Sequence, residues 1–111
     1  MNLMDVSSVT GLSIDRLSTC VERGLLPAKE MVRNVPKGVR YYVRPEVVYD
    51  FARGQWFSTT TRMYPPPEVA GRLLEKYGDE VSEAMRKKLL RLRHEDIPPR
   101  MDSKLRIGRT I

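Results

Sequence analysis

The sequence predicts a mainly helical chain with a small β-hairpin, and three observations carry the prediction. Residues 3–10 and 14–23 are short stretches with apolar residues at helical spacing, separated by Gly11-Leu12-Ser13. Met31-Val32-Arg33 and Val39-Arg40-Tyr41-Tyr42-Val43 are rich in β-branched and aromatic residues and enclose the turn-forming Asn34-Val35-Pro36-Lys37-Gly38. Pro45 then opens a further helical pattern. Two helices at a sharp turn, a hairpin and a third helix, in that order, make a winged helix-turn-helix, and C-terminal helices follow it.

Each element has a local cause. Leu3, Val6 and Val9 give the first helix one apolar face, and Gly11 ends it, because glycine enters the left-handed region without a side-chain clash. Ser13 is placed to cap the second helix, with Asp15 beside its positive end. Leu17 and Val21, with Cys20, turn inward, and Gly24 closes the helix. Val47, Val48 and Phe51 form the buried face of the third helix, which is expected to end at Gly54. Residues 55–66 are expected to be a linker, polar at Ser58-Thr59-Thr60-Thr61 and stiff at Pro65-Pro66-Pro67, with Trp56 and Phe57 packing back on the domain. Two helices follow, residues 67–77 and 79–94, then a basic tail over 97–111. The expected organisation is therefore a winged domain over 1–54, a linker over 55–66, a two-helix appendage over 67–96 and the tail.

Charge is unevenly placed. The 111 residues carry a net charge of +6. In residues 29–44, Lys29, Arg33, Lys37, Arg40 and Arg44 stand against Glu30 alone. In residues 97–111, Arg100, Lys104, Arg106 and Arg109 stand against Asp102. A local basic concentration in a hairpin fits contact with phosphates better than a uniform excess does.

These features select candidate residues for contact with double-stranded DNA. The second helix is expected to expose Asp15, Arg16, Ser18, Thr19, Glu22 and Arg23. Arg16 suits a bidentate bond to guanine. Ser18 and Thr19 suit bases or phosphates, and Asp15 either accepts from cytosine or only caps the helix. The full candidate set is Ser13, Asp15, Arg16, Ser18, Thr19 and Arg23 on the helix, with Arg33, Lys37, Arg40, Tyr42 and Arg44 on the hairpin. Strand alternation is expected to put Arg40 and Tyr42 on one side, with Lys37 at the tip.

Val9-Thr10-Gly11-Leu12-Ser13, Glu22-Arg23-Gly24-Leu25-Leu26-Pro27 and Gly38-Val39-Arg40-Tyr41-Tyr42-Val43-Arg44-Pro45-Glu46-Val47 give residues 3–53 a resemblance to the DNA-binding domain of MerR-type regulators and phage excisionases. The resemblance implies a recognition helix near 13–23, a wing near 29–43, Arg40 on the DNA backbone and Tyr42 near the base of the wing. Typical MerR-type members carry arginine-tyrosine-tyrosine in the recognition helix, where this chain has Ser18, Thr19 and Cys20. They also carry a long dimerisation helix. The departures favour a small phage or mobile-element regulator or excisionase over an effector-sensing activator. The alternative is an assembly or packaging protein, of the small-terminase kind or a partner adaptor, working through the C-terminal helices and tail.

Other classes find less support. Cys20 and His94 are the only residues of their types, no glycine-rich phosphate loop is present, and no metal ligands cluster. No enzyme activity, cofactor or metal is expected. No apolar run is long enough to span a bilayer and no signal-peptide pattern opens the chain, so the expectation is a cytoplasmic, nucleoid-associated protein. Cys20 reads as a small core residue and His94 as a solvated side chain. The stripe of Val81, Ala84, Met85, Leu89 and Leu92 is either a cap on the domain or an interface for a homodimer or partner.

Overall fold

A computed structural model describes residues 1–97. The described chain is mainly helical with one two-stranded antiparallel sheet. The elements run α1 (Leu3–Thr10), α2 (Ile14–Glu22), β1 (Lys29–Glu30), α3 (Lys37–Arg40), β2 (Tyr41–Tyr42), α4 (Pro45–Ser58), α5 (Pro66–Tyr77) and α6 (Glu83–Leu92). The basic tail expected over 97–111 lies almost wholly outside the described residues.

Both ends of the α1–α2 turn are chemically specified. Asn2 and Asp5 form a reciprocal capping box at the start of α1. Gly11 takes φ 80° and donates its N–H to the Ser7 carbonyl, 2.8 Å away. The Thr10 hydroxyl donates to the Val6 carbonyl and accepts from the Leu12 N–H, so this fully buried side chain is satisfied. Ser13 then caps α2 by accepting from the Arg16 N–H, as its position in the sequence predicts. Leu12 drops into the core between the two helices.

The β-region departs from expectation. The strands occupy 29–30 and 41–42, with Lys29 opposite Tyr42 and Glu30 opposite Tyr41. One further bond, from the Met31 N–H to the Arg40 carbonyl, prolongs the pairing. Residues 31–36 are irregular, and 37–40 form a single helical turn, not the first half of a strand. Packing explains the change. Gly38 is buried against α1 and α2, where a β-carbon would lie 2.7 Å from Met4 Cγ and 3.6 Å from Ile14 Cδ1. Burying Gly38 here outweighs the strand preference of Val39, which is worth at most about 1 kcal/mol.

Helix α4 runs through Gly54 to Ser58, so the connecting segment is residues 59–65 and is shorter than expected. An isolated glycine in a helix costs only about 1 kcal/mol relative to alanine, and the turns on either side hold the helix together. Trp56 and Phe57 thus belong to its last turn. Trp56 is half-buried, while Phe57 stays exposed beneath the Arg53 guanidinium, 5.6 Å from its ring centre. Helix α6 starts at Glu83 behind a Ser82 cap, later than expected, which leaves Val81 outside it.

One hydrophobic cluster joins α1, α2, α4, α5 and α6. Leu3, Val6 and Val9 of α1 meet Leu17 of α2, Val48 and Ala52 of α4, Val69 and Leu73 of α5, and Leu89 of α6. The C-terminal helices share this core with the first helices. Polar ties reinforce the join at the α1–α5 contact. Lys76 Nζ donates to Ser8 Oγ at 2.6 Å and Arg72 Nη1 to the Ser8 carbonyl at 3.4 Å, while the Arg72 guanidinium stacks 3.9 Å over the Tyr64 ring of the 59–65 segment. Tyr77 is pushed up to about 12, first by burial and then by the neighbouring Asp5 carboxylate to which it hydrogen-bonds.

Candidate nucleic-acid interface

Helix α2 presents one polar face to solvent. Asp15, Thr19, Glu22 and Arg23 are exposed on it, and Ser13 is exposed at its cap. The Thr19 hydroxyl donates to the Asp15 carbonyl one turn back. Its inner face carries a stripe at positions 14, 17, 18 and 21. Leu17 and Ser18 of this stripe are buried, and Ile14 and Val21 are partly buried against the core. Cys20 is buried as expected, and burial pushes its thiol up while Arg16 and Arg23 oppose the shift.

Ser18 corrects the sequence reading. It is only 1% exposed, not available on the outer face, and its hydroxyl finds no hydrogen-bond partner among the described residues. The reason is helical phase. Position 18 is i+4 from Ile14 and therefore shares the inward stripe. The stripe was legible in the spacing, but a polar residue within it masked the signal.

Arg16 is also less free than expected. Its Nη2 donates to Gln55 Oε1 of α4 at 3.1 Å, and Gln55 is itself buried. Its Nε is buried with no partner among the described residues. The side chain thus anchors α2 to α4 before it meets any ligand. We expect Arg16→Ala to lower stability by about 1.5–3 kcal/mol, the range for a hydrogen bond to a charged group. A double-mutant cycle with Gln55→Ala, read by urea unfolding, should return a coupling near 1 kcal/mol. Additive single effects would show that the contact does not hold the helices together.

The α3 turn lies beside the start of α2. Lys37, which opens the turn instead of sitting at a hairpin tip, places Nζ 3.5 Å from Asp15 Oδ1. Both side chains are at least half exposed, so the pair is worth no more than about 1 kcal/mol. Its value here is positional, because it sets a cation next to the first turn of the exposed helix face. Arg33 projects from the irregular segment and pairs with Glu30 at 3.3 Å. Arg40 does not alternate with Tyr42 along a strand. It ends α3 and folds back, with Nη2 donating to the Val35 carbonyl at 3.0 Å and Nε buried without a partner among the described residues. Arg40 therefore braces the 31–36 segment.

On the sheet, Tyr42 is 45% exposed and Arg44 is exposed at the head of α4. Lys29, paired across the sheet with Tyr42, is exposed too, and the three line one shallow groove with Pro27 and Ala28. Lys29 counts toward the charge of this region but is not among the candidate residues, and its register opposite Tyr42 places it in the same groove. The structure thus sets Ser13, Asp15 and Lys37 at the N-terminal end of α2 and leaves Thr19 and Arg23 exposed further along it. It sets Lys29 and Tyr42 on the sheet beside Arg44 at the head of α4, and withdraws Ser18 fully and Arg16 and Arg40 in part.

The stripe on α6 is turned inward. Leu89 is 1% exposed, and Met85 and Leu92 pack against the core. Of the two sequence readings, the geometry is that of a cap on the domain. Val81 is only partly exposed, in the turn before the helix, and Ala84 is exposed. Among the described residues no group of His, Cys, Asp or Glu is arranged to hold a metal ion, and no helix is long and apolar enough to cross a membrane. No protein-family model, curated protein or solved structure matches the chain.

Proposed function

We propose that this chain is a winged helix-turn-helix protein that binds double-stranded DNA, with α2 in the major groove and the α3 turn and sheet on the flanking backbone. One observation carries the reading. The solvent-exposed polar face of α2 stands beside a cationic turn, joined to it by the Lys37–Asp15 contact. A helix needs its outer face free to reach base edges, and nearby cations supply the affinity and register that base contacts alone do not. Thr19 and Arg23 are the base-reading candidates. Lys29, Lys37 and Arg44 are the phosphate contacts, and Arg16 and Arg40 hold the frame. The resemblance of residues 3–53 to MerR-type and excisionase domains supports a role as a small regulator or excisionase of a phage or mobile element.

The test begins with selection of bound sequences from a random duplex pool, followed by titration on the selected site. Thr19→Ala and Arg23→Ala should each cost about 1–3 kcal/mol on the selected site and little on random duplex. Lys37→Ala and Arg44→Ala should weaken both duplexes alike and flatten the log K against log salt slope by about 0.9 each. A chain that binds no duplex, or one whose binding ignores all four substitutions, would sink the proposal.

A further inference from the structure

The outward face of α6 is a second cationic surface that the reading above does not use. From Glu83 to Arg93 the chain carries Arg86, Lys87, Lys88, Arg91 and Arg93 against Glu83 alone. Lys88 is directed to Asp50 of α4, 3.7 Å away, and the neighbouring Arg53–Glu95 pair at 2.9 Å fixes the end of the helix to α4. The remaining cations stay available. Arg86 and Arg91 are exposed and have no ion-pair partner among the described residues, although Asp79 and Glu83 border the groove beside Arg86. Lys87 reaches only Glu83, at 3.9 Å, with both side chains more than two-thirds exposed. Such a pair leaves the lysine charge open to a stronger anion.

We propose that Arg86, Lys87 and Arg91 form a sequence-independent contact for the phosphate backbone of duplex DNA. This inference rests on the proposed DNA-binding function and extends it to a second surface. Helix α6 packs on α5, which packs on α1 and α4, whereas α3 packs on α1 and α2. The two cationic surfaces are therefore built on different parts of the fold. Other partners fit the face less well. A helix lying in a membrane interface must offer an apolar face to lipid, and here Leu89, Met85 and Leu92 are spent on the core. A protein-binding helix needs apolar anchors, and Leu90, 43% exposed, is the one large apolar side chain that α6 exposes among the cations. Separated point charges around a helix are what a phosphate backbone needs.

The experiment compares the full chain with an Arg86→Gln/Lys87→Gln/Arg91→Gln variant on the selected duplex and on a random one, over a range of salt. Glutamine keeps helix propensity, and all three side chains are exposed, so helicity by circular dichroism should be retained. The expected result is a salt slope shallower by about 2–3 and, at 0.1 M salt, affinity lower by on the order of a hundredfold, equally on both duplexes. Arg62→Gln, at an exposed position outside this face, should leave the slope unchanged. Should the triple variant lose helicity, the single substitutions carry the test, each expected to reduce the slope by about 0.9. An unaltered slope in a chain that still binds duplex overturns the α6 contact alone and leaves the α2 interface standing. A parent chain that binds no duplex overturns both.

Discussion

Leu73→Ala should destabilise the whole chain by about 3 kcal/mol and do so in a single transition. Leu73 is 1% exposed and belongs to the cluster that joins α1, α4, α5 and α6. Removing a fully buried leucine forfeits its transfer free energy and leaves a cavity, for a total of about 2–5 kcal/mol. A domain of this size holds about 5–15 kcal/mol, so the loss is a large share of its stability. At about 4–8 °C for each kcal/mol, the midpoint should fall by roughly 12–24 °C. The form of the transition matters as much as its position. Leu73 lies in α5, yet α1 contributes Leu3, Val6 and Val9 to the same cluster, and Lys76 ties α5 to Ser8 of α1. Loosening α5 should therefore lower the melting of α1 and α2 with it, followed by amide exchange at Leu12 and Leu17. A variant in which those amides keep their protection while α5 and α6 open would show two independent units and defeat the single-core description.

The sequence was most legible where one local interaction decides the backbone. Ser13 is a short polar side chain at a helix start, Gly11 follows an apolar face, and Pro45 opens a helix. Each of these cues acts within one turn, and each agrees with the structure. Legibility failed where contacts distant in sequence decided the outcome. Nothing near Lys37 announces a helical turn. The turn is selected by Met4 and Ile14, which receive Gly38 from more than twenty residues away. Gly54 reads as a stop, but the turns of α4 on either side of it remain packed. Among the candidate residues, the exposure of Asp15, Thr19 and Arg23 was legible from helix periodicity, and that of Ser13 from its place at the cap. Arg16 and Arg40 were read as free cations, and both spend a hydrogen bond inside the fold, on Gln55 and on the Val35 carbonyl. Charge reveals that a side chain is cationic, and only the packed structure reveals what already occupies it.

Two glycines with the same backbone conformation should respond very differently to alanine. Gly11 and Gly24 both have positive φ, 80° and 77°. Placing a β-carbon in that region costs about 1–2 kcal/mol at either site. Around Gly24 nothing lies within 4 Å of the added carbon, so Gly24→Ala should cost that amount and no more. At Gly11 the carbon would sit 3.0 Å from the Tyr64 backbone nitrogen and 3.3 Å from Met63 Cα. This neighbour is backbone, and it is held, because the Tyr64 N–H donates to the Thr10 carbonyl at 2.8 Å. Relieving the clash means moving the 59–65 segment away from the α1–α2 turn and lengthening that bond. Gly11→Ala should therefore cost about 2–4 kcal/mol, adding a lost or weakened hydrogen bond to the conformational strain. The consequence reaches the proposed interface, because this turn sets the angle at which α2 leaves α1. Urea unfolding of the two variants side by side separates strain from clash. DNA affinity should fall for Gly11→Ala even at temperatures where the variant remains folded, while Gly24→Ala binds nearly as the parent does. Equal stability losses at the two glycines would mean that the 59–65 segment yields freely and does not brace the turn.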